Sequence, residues 1–414
     1  MGEGPLERML FAIDVGTTKV CTLVAEALSG EELRVVGIGT VPARGMQKGS
    51  VVNVEEASQA IQASLAEAER MSGVKIEQAV VSLSGVQIAS VNSRGSTIVS
   101  RSARGIGKDD VDRAMEAALG IALSASHELV HSVPRSFTVD GQDGIRNPIG
   151  MFGHRLEVEA HLVTAPASAM ANLMKCVRAA GVQVEGVIFQ ALAAGEAILT
   201  PEERESGVVV VDIGGGTTDV AIFLEGSVWH SAVIGIGGQL ITRDLVICLQ
   251  MPAPAAEELK LRCGYADPSD VMEGETVEIE GFGDQPRRSI PRKLLAEIIG
   301  DRVEQIFTRV GEEITRSGYA GLLPAGVVLC GGTAQLGGIR AVARRVLHMP
   351  VRVGTPRGVR GLMDVVTNPA YACGVGLLQW ANRYGVHVDG RRRPGDEGTW
   401  RGWLREWVSR LLPS

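Results

Sequence analysis

Apolar and polar positions along the chain follow two different periods, which predicts strands that alternate with helices. Short, nearly continuous apolar runs at residues 10–15, 20–26, 33–40 and 78–83 predict buried strands. Residues 54–71 are rich in alanine and repeat their apolar positions every three or four residues, as one face of a helix does. Strands interleaved with helices predict an α/β architecture.

The pattern changes after the first strands and then resumes. Residues 84–161 contain short strand-like runs, a predicted helix near 109–122, and a stretch at 144–150 that is punctuated by glycine and proline. We interpret this region as an inserted subdomain. Beyond it, the sequence predicts a helix at 166–180, a strand at 184–188 and a second helix at 190–199.

The second half of the chain repeats the beginning of the first. A run of four valines leads into an aspartate at residues 208–212, and a second apolar strand follows at 219–224. The segment FAIDVGTTKVCTLVAE thus parallels VVVDIGGGTTDVAIFLE: each has an apolar strand, an aspartate, a turn with glycine and two threonines, and a returning strand. Such internal repetition predicts a duplicated fold with a cleft between two similar lobes.

The two turns have the composition of phosphate-binding loops. Glycines let the backbone approach phosphate oxygens, and successive N–H groups form an anion-binding nest. Threonine hydroxyls add donors, Lys19 adds a charge for a terminal phosphate, and Asp14 and Asp212 can orient waters on Mg²⁺. The candidate residues are Asp14, Gly16, Thr17, Thr18, Lys19, Asp212, Gly214, Gly215, Gly216, Thr217 and Thr218. A plain β-hairpin would explain either turn alone, but two turns in matching positions favour a shared phosphate site.

A third glycine-rich element supports a nucleotide site. An apolar strand ends in Gly331 and Gly332, and Thr333, Ala334 and a helix predicted to begin at Gly338 follow it. Paired glycines would let a flat purine lie against the backbone, and the start of a helix favours a neighbouring phosphate. This pattern is weak evidence alone, but it agrees with the two turns.

Composition and charge narrow the possible functions. The 414 residues are 45% hydrophobic and 21% charged, as in a typical soluble protein, and the net charge of −7 argues against a nucleic-acid partner. The six cysteines form no CxxC pair, which favours reduced, buried thiols, and the seven histidines show no zinc-ligand spacing. The N-terminus lacks the pattern of a signal peptide, and no apolar run reaches the ~18 residues of a membrane-spanning helix.

The C-terminal end predicts a linker followed by an amphipathic helix. Residues 385–398 are charged and contain glycine and proline, which is typical of a flexible linker. In residues 399–414, apolar side chains recur at a spacing of three and four, so they share one helix face with arginines beside it. These apolar residues are Trp400, Trp403, Leu404, Trp407, Val408, Leu411 and Leu412. Such a face suits the lipid headgroup boundary; docking on the protein's own body is the alternative.

These features together resemble a known group of proteins. The two turns and the Gly-Gly-Thr element are similar to those of the superfamily that contains actin, sugar kinases and the seventy-kilodalton chaperones. More specific stretches resemble the bacterial cell-division family FtsA, and the resemblance covers residues 9–384 and the tail. These stretches are IRNPIG (145–150), RLEVEAHLVTA (155–165), LTPEERESGVVVVDIGGG (199–216), AEELKLRCG (256–264), PRRSIPRKLLAEI (286–298) and NPAYACGVGL (368–377).

The resemblance implies an actin-like (ribonuclease H-like) duplicated two-lobe fold with an FtsA-type inserted subdomain. The implied divisions are the first lobe (1A) at 1–83 and 162–206, the inserted subdomain (1C) at 84–161, the second lobe (2A) at 207–250 and 324–384, the small subdomain (2B) at 251–323, the linker at 385–398 and the membrane-targeting helix at 399–414.

The resemblance also assigns cofactors and further site residues. It implies ATP and Mg²⁺ with weak or no ATPase activity, Gly237 and Gly238 beside the nucleotide, and Glu257 and Lys260 near the nucleoside. From sequence alone, Glu257 and Lys260 at i and i+3 would form an exposed ion pair that contributes little to stability. Gln190 stands where relatives often carry glutamate and would position the attacking water; a simple polar residue at a helix start is the alternative.

The implied function is that of a membrane-attached filament protein. Such a protein polymerises on the inner face of the cytoplasmic membrane at the division site and tethers FtsZ, whose C-terminal tail docks on subdomain 2B near Arg292. Subdomain 1C contributes to contacts between subunits and is a candidate surface for later division proteins. Two alternatives remain, a PilM-type adaptor of pilus assembly and a small-molecule kinase of the same superfamily, but neither needs a terminal membrane helix.

Removing residues 399–414 should abolish binding of the protein to liposomes and leave ATP binding unchanged, because only this tail is predicted to contact lipid. Co-sedimentation with liposomes and a nucleotide titration measure the two properties. A full-length Trp403→Glu variant should also lose lipid binding, since a charge would interrupt the apolar face. Truncated protein that still pellets with liposomes would contradict the tether.

Overall fold

Strands and helices alternate through the residues that the computed structural model describes, which are 8–28, 31–100, 104–122, 126–283 and 287–384. The strands are β1 (Arg8–Val15), β2 (Lys19–Ala27), β3 (Leu33–Pro42), β4 (Met46–Gln47), β5 (Ser50–Val51), β6 (Gln78–Leu83), β7 (Ala89–Ile98), β8 (His127–Val139), β9 (Gln142–Ile145), β10 (Arg155–Pro166), β11 (Gln183–Phe189), β12 (Val208–Ile213), β13 (Thr218–Leu224), β14 (Ser227–Ile234), β15 (Thr276–Ile279), β16 (Arg288–Pro291), β17 (Val327–Cys330), β18 (Val351–Val353) and β19 (Val359–Arg360). The α-helices are α1 (Val54–Ser72), α2 (Lys108–Ala122), α3 (Ala167–Ala179), α4 (Gln190–Ile198), α5 (Pro201–Ser206), α6 (Gly238–Leu249), α7 (Ala253–Cys263), α8 (Arg292–Ser317), α9 (Ile339–Leu347), α10 (Met363–Val366) and α11 (Ala372–Tyr384). The predicted linker and amphipathic helix lie outside the described residues.

Two mixed sheets with the same topology form the body of the molecule. The first sheet has the order β11-β6-β1-β2-β3-β19, and the second has the order β14-β13-β12-β17-β18. In each sheet, three consecutive strands pair antiparallel, and the first of them also pairs in parallel with a later strand. The strand order β3-β2-β1-β6-β11 of the first sheet therefore corresponds to the order β14-β13-β12-β17-β18 of the second. This correspondence is what the sequence repeat predicts.

The strands at the centre of the second sheet are apolar on both faces. The four valines that begin β12 are completely buried, and every residue of its parallel neighbour β17 is buried as well. Strands covered on both faces read as continuous apolar runs rather than as alternations. This burial explains why these strands are visible in the sequence as unbroken runs of valine and leucine.

The helices predicted at 54–71, 109–122, 166–180 and 190–199, and the one predicted to start at Gly338, lie within one residue of those limits in the structure. The helix predicted at 54–71 is α1, whose N-cap Asn53 accepts hydrogen bonds from the N–H groups of Glu55 and Glu56 and whose C-cap is Gly73 with φ 72°. The helix predicted at 166–180 begins one residue later, because Pro166 is extended and still pairs with His127 in β10 and β8. None of the described helices has the length and apolar composition needed to cross a membrane.

A separate four-stranded sheet is formed mainly by the predicted insertion at 84–161, and its strand β10 continues beyond that boundary to Pro166. Its order is β7-β10-β8-β9, and α2 packs on β7 and β10. This sheet also contacts the edge of the second lobe, where Ser90 Oγ donates to the carbonyl of Ser231 at 2.6 Å. The proposed subdomain boundaries stay a prediction.

Helices α4 and α11 pack closely against each other between the two main sheets. Helix α4 contacts strands of both sheets, and α11 packs on α4 and on β1. A Cβ atom added at Gly376 would lie 1.7 Å from the carbonyl oxygen of Ala193. Only glycine therefore permits the two helices to approach this closely.

Replacing Gly376 by alanine should destabilise the fold by about 1–3 kcal/mol, because the new methyl group overlaps the Ala193 carbonyl. The free energy of unfolding in urea measures the effect. Gly120→Ala is the matched control, since this helical glycine is exposed and has no atom within 4 Å of an added Cβ. That control should gain about 0.5–1 kcal/mol from helix propensity; equal changes in the two variants would refute the packing argument.

Candidate functional site

The two predicted phosphate turns have the same backbone geometry. The N–H of Gly16 donates to the carbonyl of Lys19 at 2.9 Å, and the N–H of Gly214 donates to the carbonyl of Thr217 at 2.9 Å. Lys19 in the first turn therefore occupies the position that Thr217 has in the second turn. The threonine pairs of the two turns, which look equivalent in the sequence, are offset by two residues in the structure.

The N-terminus of α6 lies behind the second turn and fixes its orientation. The N–H groups of Gly238 and Gln239 donate to the carbonyl oxygens of Gly214 and Gly215 at 2.9 and 2.8 Å. Because N–H and C=O point in opposite directions in a trans peptide, the N–H groups of Gly215 and Gly216 point away from α6. Neighbouring amides that point the same way form an anion-binding nest.

The tips of the two turns touch each other across the cleft. A Cβ atom added at Gly215 would lie 2.2 Å from Cγ2 of Thr18, and one added at Gly216 would lie 2.6 Å from Oγ1 of Thr17. Any side chain at these glycines would push the lobes apart. The contact with the first turn by itself therefore requires glycine at both positions of the second turn.

A cavity of about 580 Å³ lies beside the turns and between the lobes. Its volume is in the range of small-molecule sites. The predicted residues that line it are Asp14, Gly16, Thr17, Thr18, Lys19, Gln190, Asp212, Gly214, Gly215, Thr217, Gly238, Glu257, Lys260, Gly331, Gly332 and Thr333. The structure thus brings residues from both lobes and all three glycine-rich elements to one cavity.

Four predicted residues do not line the cavity. They are Gly216, Thr218, Gly237 and Ala334. The Thr218 hydroxyl donates to the carbonyl of Ile236 at 2.8 Å, so it serves its own lobe and is not the phosphate donor that the sequence suggested. Gly237 instead caps α6, and Ala334 is buried.

Several lining residues had no individual sequence signal. They are Val15, Gly49, Gln239, Ile241, Leu261, Gly264, Gln335, Leu336, Gly337, Asn368, Pro369, Ala370, Tyr371 and Cys373. One group of them holds Lys19, whose ammonium donates to the carbonyl of Ala370 at 2.6 Å and lies 3.8 Å from the centroid of the Tyr371 ring. This group falls in the NPAYACGVGL stretch, which is the one signal that could have located it.

The pair Glu257–Lys260 is part of a partly buried network. The Lys260 ammonium donates to Glu257 Oε2 at 2.7 Å, to Thr242 Oγ1 at 2.9 Å and to the Gly238 carbonyl at 3.2 Å. The Thr242 hydroxyl also donates to Glu257. With 11% of the Lys260 side chain and 40% of the Glu257 side chain exposed, the pair is half-buried rather than a fully exposed surface ion pair. The pair instead ties α7 to the start of α6 at one end of the cavity.

The carboxylate of Asp14 is held by neighbours from two other elements. Ser82 Oγ on β6 donates to Asp14 Oδ1 at 2.8 Å, and Gln190 Nε2 at the start of α4 donates to the same oxygen at 3.1 Å. Since the Gln190 amide group donates through its nitrogen here, its oxygen remains an acceptor for water. Gln190 is therefore more than a polar residue at a helix start.

Two buried aspartates of the second lobe lie near Asp14. Burial, with Asp219 and Asp14 nearby, raises the pKa of Asp212 to about 8, and burial raises the pKa of Asp219 to about 7. Asp219 accepts hydrogen bonds from Ser84 Oγ at 2.6 Å and from Thr217 Oγ1 at 3.0 Å. Closely spaced carboxylates of this kind favour a cation. Over the described ranges, however, no group of three or more His, Cys, Asp or Glu is arranged to hold a metal ion directly.

Arg292 does not line the cavity. It begins α8, where its guanidinium donates to Glu275 Oε2 at 2.7 Å and its N–H donates to the Glu275 carbonyl at 2.8 Å. Its side chain is 33% exposed. The Arg292 charge is therefore partly neutralised within its own subdomain, and its role as a partner contact stays a prediction.

Comparisons with known proteins identify close relatives along most of the chain. A family model described as "Cell division protein FtsA" matches residues 209–376, and one described as "SHS2 domain inserted in FTSA" matches residues 85–164. The FtsA of Pseudomonas aeruginosa is 44% identical over 373 residues, which cover 90% of this chain and 89% of that protein. The FtsA of Escherichia coli K12 is 35% identical, with 97% of each chain covered, and that of Bacillus subtilis is 36% identical, with 92% of this chain and 85% of that protein covered.

Solved structures confirm the actin-like fold. The PilM–PilN type IV pilus biogenesis complex matches with a TM-score of 0.66 and 16% identity, covering 90% of this chain and 98% of that chain. MreB5 of Spiroplasma citri, solved bound to ADP, matches with a TM-score of 0.54 and 14% identity, covering 91% and 97%. At these identities the likeness concerns the fold alone.

Asp219→Asn should make the stability of the nucleotide-free protein less sensitive to pH. A carboxyl whose pKa is raised by folding stabilises the folded state while it is protonated, and this contribution is lost as the pH rises from about 4 through the folded pKa of about 7. Between pH 5 and 8 the wild type should lose about 2–4 kcal/mol more than the variant, since one pKa unit is about 1.4 kcal/mol. Denaturant unfolding in EDTA at several pH values measures the difference. The Asp109→Asn variant, at an exposed position, is the control. Parallel plots of unfolding free energy against pH for the wild type and Asp219→Asn would contradict the raised pKa of Asp219.

Proposed function

The chain belongs to the FtsA family of bacterial cell-division proteins, and we propose that it binds ATP with Mg²⁺ between its lobes and tethers FtsZ filaments to the membrane. Family membership and the actin-like fold assign it a role in cell division. The observation that carries the ATP proposal is the pair of equivalent turns, Gly16–Lys19 and Gly214–Thr217 by their hydrogen bonds, which face one cavity.

The cavity residues fit a nucleoside triphosphate. The turns supply backbone amides and threonine hydroxyls for phosphate oxygens, and the Lys19 ammonium supplies positive charge. Next to the second turn, Gly332 has no atom within 4 Å of an added Cβ, which leaves open space for a base. Glu257, fixed by Lys260 and Thr242, offers a carboxylate to ribose hydroxyls.

The aspartates fit a hydrated Mg²⁺ ion. Asp14 and Asp212 end equivalent strands and both line the cavity. Mg²⁺ usually keeps several waters and is held by one or two carboxylates and the phosphates of its nucleotide. A bound cation would also lower the cost of ionising Asp212, whose pKa is raised by burial. When bound, Mg²⁺ neutralises phosphate charge, and the two aspartates orient its waters.

Weak hydrolysis, or none, is the activity that Gln190 supports. Its side-chain oxygen can accept a hydrogen bond from a water, while its nitrogen holds Asp14. An amide has no useful basicity, so it can orient a water but is a poor general base. We therefore propose that ATP serves mainly to set the conformation and assembly of the protein.

Assembly and tethering complete the proposed function. The protein polymerises on the inner face of the cytoplasmic membrane at the division site, through contacts that include the inserted subdomain, and the segment 399–414 binds lipid. Subdomain 2B takes the FtsZ tail near Arg292, and the inserted subdomain is available to later division proteins. Filament formation by an actin-like neighbour, the MamK double helical filament, is consistent with self-association.

The alternatives have less support. The PilM complex shares the fold at 16% identity, whereas FtsA relatives reach 35–44% identity along at least 90% of the chain. A small-molecule kinase would need a carboxylate base facing a substrate in the cleft. The curated relatives that match most of this chain are FtsA proteins and not kinases.

Asp212→Ala should weaken Mg²⁺-dependent ATP binding by about tenfold or more, because it removes one of the two carboxylates that face the ion's waters. A fluorescent-nucleotide titration with and without Mg²⁺ measures the affinity. Thermal unfolding checks that the variant is folded, and the exposed Asp109→Ala controls for the loss of one negative charge. Unchanged affinity in Asp212→Ala would refute the assignment of the second turn.

A further inference from the structure

A short hairpin of the first lobe crosses the seam between the lobes beside the phosphate turns. Strands β4 and β5 form it, and Lys48 and Gly49 are its tip. The N–H of Gly49 donates to Thr17 Oγ1 in the first turn at 3.0 Å. The Cα atom of Lys48 lies 3.0 Å from where a Cβ on Gly216 would be, in the second turn. The tip therefore contacts both phosphate turns.

Lys48 has a backbone conformation that is unusual for its residue type. Its φ is 46° and that of Gly49 is 75°. Both central residues of this two-residue hairpin are left-handed, which favours asparagine, aspartate or glycine rather than lysine. The fold thus places a long cationic side chain at a position where a smaller residue would cost less.

The ammonium group of Lys48 has no polar partner among the described residues. It forms neither a hydrogen bond nor an ion pair there, and its side chain is exposed. Its Cδ and Nζ atoms lie 3.9 Å from where a Cβ atom on Gly235 of the second lobe would be. Lys19, in contrast, is held by the Ala370 carbonyl and the Tyr371 ring. Lys48 is therefore a positive charge without a polar partner among the described residues, and it adjoins Gly49, which lines the cavity beside the turns although Lys48 itself does not.

Residues 84–86 pack against the hairpin and extend the contact between the lobes. A Cβ added at Gly49 would lie 2.8 Å from the nitrogen of Gly85. From the same segment, Ser84 Oγ donates to Asp219 Oδ1 at 2.6 Å and lies 3.1 Å from Thr217 Oγ1. We call residues 46–51 and 84–86 the clasp. The position of Lys48 thus depends on how closely the second lobe approaches the first.

We propose that Lys48 contacts the terminal phosphate of a bound nucleoside triphosphate and so distinguishes it from a diphosphate, with the clasp transmitting this difference between the lobes. This inference rests on the proposed nucleotide function. Of the two residues at the hairpin tip, Gly49 lines the cavity and donates to Thr17 of the first turn, so a phosphate held by that turn lies beside the tip and within reach of the neighbouring Lys48 side chain. Exposed lysine side chains change rotamer within nanoseconds, and a lysine ammonium is a compact point charge suited to phosphate.

The test compares ATP and ADP affinities of wild type, Lys48→Asn and Lys48→Arg at fixed Mg²⁺. Asparagine tolerates the left-handed turn and removes the charge, whereas arginine retains the charge. We expect the Kd for ATP to rise about tenfold in Lys48→Asn, as for loss of one charge-assisted contact, and the Kd for ADP to change by less than about twofold. Lys48→Arg should recover most of the ATP affinity, and Lys75→Asn, another exposed lysine, should change neither.

Two outcomes would overturn the inference while leaving the nucleotide site intact: unchanged Kd values in Lys48→Asn, or equal losses for ATP and ADP. Equal losses would mean that the hairpin supports the shape of the site without contacting the last phosphate. Failure of wild-type protein to bind either nucleotide would instead refute the proposed function. Thermal unfolding of each variant shows whether the hairpin change affects the fold.

Discussion

The contact between the two phosphate turns is the constraint on which the rest of the structure depends. Thr17 and Thr18 of one lobe occupy the space that side chains at Gly215 and Gly216 of the other lobe would fill. A lobe movement of about an ångström would therefore separate the turns and change the spacing of their amides. The close packing of helices α4 and α11 at Gly376 also limits the separation of the two lobes, because α4 contacts strands of both sheets. The cavity is the space that these two contacts leave between them.

The sequence predicted those parts of the fold and site that depend on local patterns. The central strands are runs of buried aliphatic residues, and the duplicated turns are visible because each follows its strand directly. Gly331 and Gly332 could be predicted for the same reason. The limits of the predicted helices differ from those in the structure by one residue at several ends, and at the start of α3 the reason is that Pro166 remains in the preceding strand.

The parts that could not be predicted depend on contacts between distant segments. The Ala370 carbonyl that binds Lys19 is a backbone group, so no residue type signals it. Burial of Lys260 depends on the start of α6, which the 3,4-spacing of α7 does not contain. The two-residue offset between the threonine pairs could not be predicted, because both turns contain the dipeptide Thr-Thr and look equivalent in the sequence. Only the hydrogen bonds within each turn show which residues occupy equivalent positions. The tail stays a prediction from its own pattern and lies outside the described residues.

The offset between the turns also decides how many ways a ligand can enter. Two identical lobes around one cavity would offer an elongated ligand two equivalent orientations, related by the pseudo-two-fold axis. Here lysine in one turn occupies the position that threonine has in the other, and the open space at Gly332 belongs to only one lobe. The two sides of the cavity are therefore chemically different, so an elongated ligand has one preferred orientation. If copies of this chain assembled with nucleotide bound, every nucleotide would point the same way relative to its own subunit, so such a filament would have a chemical direction as well as a geometric one.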